Sequence, residues 1–297
     1  MNLIQWPPHQ PALPLLLVCT AEEKRLASGS TSESREATAP ALWIKSVPQG
    51  EADALLTFFC LPQGAVLAKA RSLRKAKSRL AGLLMPGDEL NITLARGRGS
   101  IPVLTGVSTH RSHPAWRADI ALSALMWLFL ECAYIGSGEP ELNQEVFQLV
   151  VNLLRNPPAD DQRHGAAAVF GLKLLALHGL LPDFAHCAID GHAIAEGEPV
   201  HLLPNGEGVI GREAYNRQYA RTAGALIRLS PERLKRWRLL RRCSLLDYVE
   251  AEADAVDAAL IVHHTARRLG ETAGQQLASA IFLASQWKLP SFAEMLG

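Results

Sequence analysis

The hydrophobic pattern between Ala41 and about Arg111 predicts a run of short strands. The segment L-N-I-T-L-A (90–95) alternates apolar with polar residues, as a half-buried strand does. Four more apolar runs have strand length: A-L-W-I-K-S-V (41–47), L-L-T-F-F-C (55–60), G-A-V-L-A-K-A (64–70) and P-V-L-T-G-V-S (102–108). The stretches L-P-Q-G (61–64) and R-G-R-G-S (96–100) are typical of turns. Five short strands in about seventy residues fit a small barrel such as an OB-fold, and an SH3-like barrel also fits the pattern.

After His113 the spacing of hydrophobic residues changes from the strand period to the longer helical period, which predicts helices. The first helix extends from Trp116 to a stop at Gly136. A later helix opens with Ser230 as N-cap and Pro231 at the first helical position. The other predicted helices cover 140–155, 166–179, 245–268 and 273–287. The expected fold class is therefore α+β, with a small barrel at 41–112 followed by a helical domain at 113–297.

Two segments follow neither period. Residues 21–40 are polar, rich in Ser and Thr, and free of aromatic residues, so we expect 1–40 to be an N-terminal extension that ends in a disordered linker. Residues 182–214 are rich in Gly, Pro and His, and we expect a loop-like insertion in the helical domain.

The chain lacks the sequence signals of export or membrane insertion. The apolar run 12–19 has no preceding Lys or Arg and no small-residue cleavage site after it. The run 119–135 contains two acidic residues and is shorter than the ~20 residues that span a bilayer. The five cysteines are widely spaced and odd in number, which argues against a disulfide framework. We predict a cytoplasmic protein that does not bind membranes.

Charge is unevenly distributed along the chain. The whole chain has a formal net charge of +1. Residues 41–112 carry ten Lys or Arg against four Asp or Glu, a net of +6, which leaves −5 for the remainder. No acidic residue occurs between Asp53 and Asp88, yet the stretch K-A-R-S-L-R-K-A-K-S-R-L (69–80) holds six cations. A solvated loop could have this composition, but such density favours a docking face for a polyanion.

The candidate nucleic-acid-binding residues lie in two turns of the predicted barrel. A cationic loop releases the counterions of a nucleic-acid strand, and OB barrels use such a groove to bind single strands. The R-G-R-G turn can extend the same face, although a simple hairpin turn would explain it equally well. The predicted residues are Lys69, Arg71, Arg74, Lys75, Lys77, Arg79, Arg96 and Arg98.

A second basic cluster lies on the helix predicted at 231–242, which carries six Lys or Arg residues. Three interpretations remain open for it. It could be an ordinary solvated face, a second DNA contact, or a site for an acidic peptide.

Metal and catalytic sites are weakly supported. Four residues in or next to the insertion could ligate a metal: Cys187, Asp190, His192 and His201. A structural zinc site usually has ligands in paired short spacings, and Gly211 and Ala214 occupy the positions where a second pair would be expected. The chain also lacks a Walker A, a G-x-S-x-G, an H-E-x-x-H and a G-x-G-x-x-G with an acidic partner. We predict no metal, no cofactor and no catalytic residue.

The segments, in this order, resemble the RecO family of bacterial recombination mediators from about Ala41 to Tyr215. Four stretches carry the resemblance: G-E-A-D-A-L-L-T-F-F-C-L-P-Q-G (50–64), the basic loop with the following L-A-G-L-L-M-P-G-D-E-L (80–90), L-A-R-G-R-G-S-I-P-V-L-T-G-V (94–107) and F-G-L-K-L-L-A-L-H-G-L-L-P-D-F-A-H-C (170–187). Family members with a zinc module have two C-x-x-C pairs. This chain has Cys187 at the first position and Asp190, Gly211 and Ala214 at the others, so the insertion at 182–214 resembles a degenerate zinc module.

The resemblance implies a specific function. RecO proteins have an N-terminal OB-fold and a helical domain, and they bind single- and double-stranded DNA. They anneal complementary strands, including strands coated by the single-stranded-DNA-binding protein (SSB), whose acidic C-terminal tail is an expected contact. Together with RecR they help to load RecA, and they hydrolyse no nucleotide. We therefore expect a DNA repair and recombination mediator at the bacterial nucleoid.

Three rival functions stay open at this point. The chain could be an RNA-binding OB-fold protein of another family. It could be a metal-dependent hydrolase with Asp190, His192 and His201 around the metal. It could also be an adaptor whose helical domain binds a partner while the barrel is structural.

Overall fold

The N-terminal part of the described chain is a closed five-stranded barrel. A computed structural model describes residues 36–96, 100–203, 207–220, 226–244 and 253–273. The strands are β1 (Glu36–Gln49), β2 (Asp53–Cys60), β3 (Gly64–Ala70), β4 (Glu89–Ala95) and β5 (Val103–Arg111). Their order is β1-β2-β3-β5-β4, and β4 pairs back with β1 to close the barrel. A five-stranded Greek-key barrel is the OB-fold, so the predicted fold class is confirmed.

The barrel begins before the predicted boundary at Ala41. Strand β1 starts at Glu36, and residues 36–40 pair with residues 91–95 of β4. These five residues have the polar composition of a linker, but strand pairing uses backbone N–H and C=O groups that every residue except proline supplies in full. The linker expected over 21–40 is therefore wrong for residues 36–40, whereas residues 1–35 lie outside the described part.

Strand β2 contributes to two hydrophobic cores because its side chains alternate between its two faces. Leu56 and Phe58 lie in the barrel core together with Ile92 of β4. Phe59 points the other way, joins the core of the helical domain, and stacks on Phe147 with ring centroids 6.2 Å apart. The barrel and the helices are therefore joined by a shared apolar interface.

Five of the six described helices follow the predicted pattern. They are α1 (Ile120–Ile135), α2 (Pro140–Arg155), α3 (Arg163–Leu177), α4 (Arg212–Gln218), α5 (Pro231–Leu240) and α6 (Ala255–Ala273), and α4 was not predicted. Helix α1 begins at Ile120 rather than Trp116, because the Asp119 carboxylate accepts the Leu122 N–H at 2.8 Å and caps the helix. Of the predicted C-terminal helices, the residues at 245–252 and 274–297 lie outside the described part.

Helix α1 is the centre of the helical domain and is buried on nearly all sides. It contacts the barrel as well as helices α2, α3 and α6. The ring of Phe129 on α1 lies 4.3 Å from that of Phe170 on α3, centroid to centroid, and Trp116 packs edge-on against Phe129. None of the helices in the described part combines the length and apolarity that crossing a bilayer requires.

The segment predicted to be loop-like, 182–214, contributes two strands to a small sheet whose third strand follows it in the chain. Strands β6 (Val200–Leu202), β7 (Val209–Ile210) and β8 (Ile227–Leu229) form a three-stranded sheet in the order β7-β6-β8. Each strand has only two or three residues, which is too few for an alternating pattern to be recognised in the sequence. The predicted insertion at 182–214 is therefore not a loop throughout. Val200, Leu202 and Val209 are buried in the core of the helical domain, and Cys187 and Ile210 belong to a second, smaller cluster.

Candidate nucleic-acid interface

The cationic loop, residues 71–80, leaves strand β3 and is anchored to the barrel by leucines. Leu73 and Leu84 are buried in the barrel core, and Leu80 packs against the same core from a half-buried position. The cations between these leucines face solvent. The loop therefore packs against the barrel through apolar side chains and presents basic side chains to solvent. The spacing of the leucines was visible in the sequence, but their role was not predicted.

Most of the predicted nucleic-acid-binding side chains are exposed. Among the described residues, Lys75, Lys77 and Arg79 form no ion pair, so their charges remain available to an anionic ligand. A ligand phosphate could reach them without displacing a protein carboxylate. The exposed members of the predicted set are Arg71, Arg74, Lys75, Lys77, Arg79 and Arg96.

Lys69 and Arg74 differ from the other cations because they contact the β1–β2 turn. The Lys69 ammonium lies 3.2 Å from the Asp53 carboxylate. The Arg74 guanidinium donates to the Gly50 carbonyl at 2.8 Å. Asp53 also accepts the Ser72 backbone N–H at 2.9 Å. These two cations therefore help to hold the loop in place, a role that the sequence did not indicate because the partners are far apart along the chain.

The β4–β5 turn comes close to the start of the cationic loop. The Lys69 backbone N–H donates to the Pro102 carbonyl at 2.8 Å, and Lys69 pairs with Val103. Arg96 is exposed directly after β4 ends at Ala95, which is the residue paired with Val103 from the other side. Arg98 lies outside the described residues. The start of the cationic loop and the end of β4, where Arg96 follows, thus lie on either side of Val103.

The acidic residues that end the acid-free stretch, Asp88 and Glu89, do not offset this exposed charge because both are buried. Asp88 accepts hydrogen bonds from Arg117 at 2.8 Å and from the backbone N–H of His113 at 2.8 Å. Glu89 accepts Arg155 Nε at 2.9 Å, Arg155 Nη2 at 2.7 Å, and His113 Nε2 at 2.9 Å. Both carboxylates are neutralised by residues that follow the barrel, so the outer surface of the loop stays basic.

Three of the four cations on helix α5 form contacts inside the protein. Arg233 and Arg236 both pair with the buried carboxylate of Asp257, at 2.8 and 3.0 Å. Arg238 donates from Nε to the Phe184 carbonyl at 3.0 Å. These contacts favour a structural role for that side of the helix over a ligand site. The exposed cations of this region are Lys235, Arg241 and Arg242.

The residues considered as metal ligands form a small hydrogen-bonded cluster around Asp190. Its carboxylate pairs with Arg217 on α4 and with His192 at 3.3 Å. The pKa of Asp190 is lowered to about 2, chiefly by a hydrogen bond from the Cys187 thiol. Burial opposes this shift, and a weaker contribution from the His192 backbone N–H adds to it. His201 instead stacks on Tyr215, ring centroids 3.7 Å apart. Across the described residues, no three His, Cys, Asp or Glu side chains are grouped to hold a metal ion.

Comparison with known families gives two matches that together cover most of the chain. The model described as "Recombination protein O N terminal" matches residues 35–113. The model described as "Recombination protein O C terminal" matches residues 117–259. The first match contains the whole barrel, including strand residues 36–40, and the second contains the helical domain as far as the start of α6.

Individual relatives agree with the family matches. The chain is 29% identical over 234 residues to a protein named DNA repair protein RecO from Myxococcus xanthus, covering 77% of this chain and 92% of the relative. It is 31% identical over 178 residues to a protein of the same name from Dehalococcoides mccartyi strain CBDB1, covering 60% of this chain and 70% of the relative. It is 31% identical over 155 residues to another from Desulfatibacillum aliphaticivorans, and there it spans 60% of the relative's length.

Proposed function

Because this chain belongs to the RecO family of DNA repair proteins, we propose that it binds single- and double-stranded DNA and anneals complementary strands, including strands coated by SSB. It acts in the bacterial cytoplasm with RecR to help load RecA, and it contacts the acidic C-terminal tail of SSB. The reaction uses no catalytic side chain, metal or nucleotide. Annealing brings two polyanions together, so a cationic surface that lowers their repulsion is the chemistry that it needs.

One observation carries the proposal. The loop at 71–80 covers an OB barrel and presents exposed cations, while the nearest acidic residues along the chain, Asp53, Asp88 and Glu89, are each neutralised by a protein partner. Its proposed DNA-binding residues are those of the sequence prediction: Lys69, Arg71, Arg74, Lys75, Lys77, Arg79, Arg96 and Arg98. Lys69 and Arg74 also hold the loop, so the freest phosphate contacts are expected from Lys75, Lys77 and Arg79.

Strand annealing tests the function directly. Two complementary oligonucleotides, each coated with the SSB of the same organism, are mixed with and without the protein in the absence of nucleotide, and duplex formation is followed by fluorescence transfer between end labels. We expect the protein to accelerate annealing. Binding to single-stranded DNA without acceleration would contradict the annealing function, and much tighter binding to structured RNA would favour an RNA-binding protein.

The salt dependence of binding tests the surface. Replacing Lys75 and Lys77 by Ala should reduce the slope of log K against log salt by roughly 1 to 2, because each phosphate contact contributes about 0.7 to 0.9. A matched control removes two exposed arginines of the small sheet region, Arg212→Ala with Arg228→Ala, for the same loss of charge. An unchanged slope in the loop variant, or an equal fall in the control, would remove the loop from the binding surface.

A further inference from the structure

Among the described residues, Asp53 is the carboxylate that bonds to the start of the cationic loop and to Lys69 just before it. Its Oδ2 lies 3.2 Å from the Lys69 ammonium, and its Oδ1 accepts the Ser72 backbone N–H at 2.9 Å. Hydrogen bonding from Ser72 first, and then from Lys69, lowers the pKa of Asp53, so the carboxylate is ionised at neutral pH. An anion beside a DNA-binding surface should by its charge alone weaken DNA binding. Its presence therefore needs another explanation.

The backbone that Asp53 contacts is in a disfavoured conformation. Ser72 has φ of 55°, in the left-handed region that residues with a side chain rarely occupy. A conformation of this kind persists when the surrounding contacts hold it. The carboxylate of Asp53 supplies one such contact, because it accepts the N–H of Ser72 itself.

Further hydrogen bonds join the same loop to the same turn. The Arg74 backbone N–H donates to the Ala52 carbonyl at 2.9 Å, and the Arg74 side chain donates to the Gly50 carbonyl at 2.8 Å. Directly between Ser72 and Arg74, Leu73 is buried in the barrel core. The path of the chain from Lys69 to Arg74 is thus fixed on one side by the β1–β2 turn and on the other by the core, and the cations that follow project from this fixed start.

We infer that Asp53 is a positioning residue for DNA binding: its carboxylate holds the start of the cationic loop in the conformation that presents Lys75, Lys77 and Arg79 together to a DNA strand. This inference rests on the proposed function and extends it by assigning a role to an acidic residue outside the basic set. It makes a prediction opposite in sign to simple electrostatics. Removing this negative charge should weaken DNA binding.

The test compares three variants that each remove one negative charge from the same turn. Asp53→Ala removes the charge and the acceptor for the Ser72 N–H. Asp53→Asn removes the charge but keeps a side-chain oxygen as acceptor. Glu51→Gln is the matched control, because Glu51 is exposed in the β1–β2 turn and its carboxylate forms no hydrogen bond or ion pair with the described residues of the loop. Affinity for a labelled oligo-dT strand is measured by fluorescence anisotropy at several salt concentrations.

We expect Asp53→Ala to bind about 5- to 25-fold more weakly at 0.1 M salt, since a single-strand slope of about 0.7 per phosphate makes each lost contact worth about 5-fold there. The slope of log K against log salt should fall by about 0.7 to 1.4 in the same variant. Asp53→Asn should bind within about 2-fold of the wild type, on the same scale, because the loop keeps its anchor. Glu51→Gln should bind as tightly as the wild type or slightly more tightly.

Two further measurements distinguish a displaced loop from an unfolded variant. Circular dichroism establishes that each variant is folded at the assay temperature, and hydrogen exchange of the Ser72 amide should accelerate in Asp53→Ala but not in Glu51→Gln. Equal or tighter DNA binding by Asp53→Ala would overturn the inference and identify Asp53 as a competitor of phosphate. A wild-type chain that binds no DNA would overturn the proposed function, and the inference with it, whatever the exchange data show.

Discussion

The ion pair between Glu89 and Arg155 is predicted to be a main link between the barrel and the helical domain. Glu89 opens β4, and Arg155 is the last residue of α2. The Glu89 side chain is 6% exposed and its carboxylate accepts two hydrogen bonds from Arg155 and one from His113. Arg155→Ala removes both guanidinium bonds and leaves a buried carboxylate with His113 as its remaining side-chain partner.

The expected loss of stability in Arg155→Ala follows from how deeply the ion pair is buried. Breaking a fully buried pair costs about 3–5 kcal/mol, but the Arg155 side chain is 37% exposed, so water screens part of the interaction. We expect Arg155→Ala to lower the free energy of unfolding by about 2–4 kcal/mol. At about 2–4 °C per kcal/mol for a chain of this size, the thermal midpoint should fall by roughly 5–15 °C.

The double variant separates charge burial from simple loss of contacts. Glu89→Gln combined with Arg155→Ala should be about 1–2 kcal/mol more stable than Arg155→Ala alone, because a neutral amide needs no cation. Both are measured by urea unfolding at pH 7.5, with linear extrapolation to water. A cost for Arg155→Ala below about 0.5 kcal/mol, the range of ordinary surface substitutions, or a double variant no more stable than the single one, would refute this account.

The same pair gives a pH dependence with a defined sign. Burial raises the pKa of Glu89, but the hydrogen bonds from Arg155 and His113 outweigh it, so the pKa is lowered from its ordinary value of 4.5. The stability that the wild type gains over Glu89→Gln is therefore fully present above about pH 4.5 and is lost as the pH falls through the lower folded pKa. A difference that instead grew on acidification would contradict the lowered pKa.

Two further predictions concern the turn at Gly64 and the small sheet. Gly64 has φ of +76°, and a Cβ there would lie 2.0 Å from the Ser137 hydroxyl. Gly64→Ala should therefore lower the free energy of unfolding, measured by thermal unfolding, by at least ~2 kcal/mol. Gly82→Ala is the control and should leave the stability unchanged, because a Cβ at Gly82 would have open space around it. Treatment with EDTA should leave the thermal midpoint unchanged, because Gly211 and Ala214 carry no side-chain ligand atoms. A fall of several degrees after chelation would reveal a structural metal.

The sequence predicted the barrel well where side-chain alternation was strong and poorly where backbone pairing alone defines a strand. Residues 90–95 alternate between faces, and they lie in β4 as expected. Residues 36–40 have no apolar periodicity, yet they extend β1 through hydrogen bonds to β4. The same limit explains strands β6 to β8, which are too short to show a period. Register and partner strands are properties of the folded chain, and local composition does not encode them.

The position of the candidate site could be predicted from charge alone. Which of its cations are paired within the protein, and which are free to bind a ligand, could not. The density of cations at 69–80 was evident without the fold. That Lys69 is paired with Asp53, and that Arg74 reaches Gly50, depends on strands β2 and β3 lying side by side. On helix α5, likewise, Arg233 and Arg236 are paired with acids that come much later in the sequence. One-dimensional charge counts therefore overestimate the number of cations free to bind a ligand.

The apolar interface between the two domains makes the barrel a dependent part of the protein. Leu42, Ile44 and Phe59 of the barrel are buried in the core of the helical domain. Exposing three such side chains would cost about 5–9 kcal/mol, which rivals the whole stability of a typical domain. A fragment ending at Arg111 should therefore expose this apolar surface and aggregate. The barrel is therefore expected to keep its fold only when the helical domain is part of the same chain.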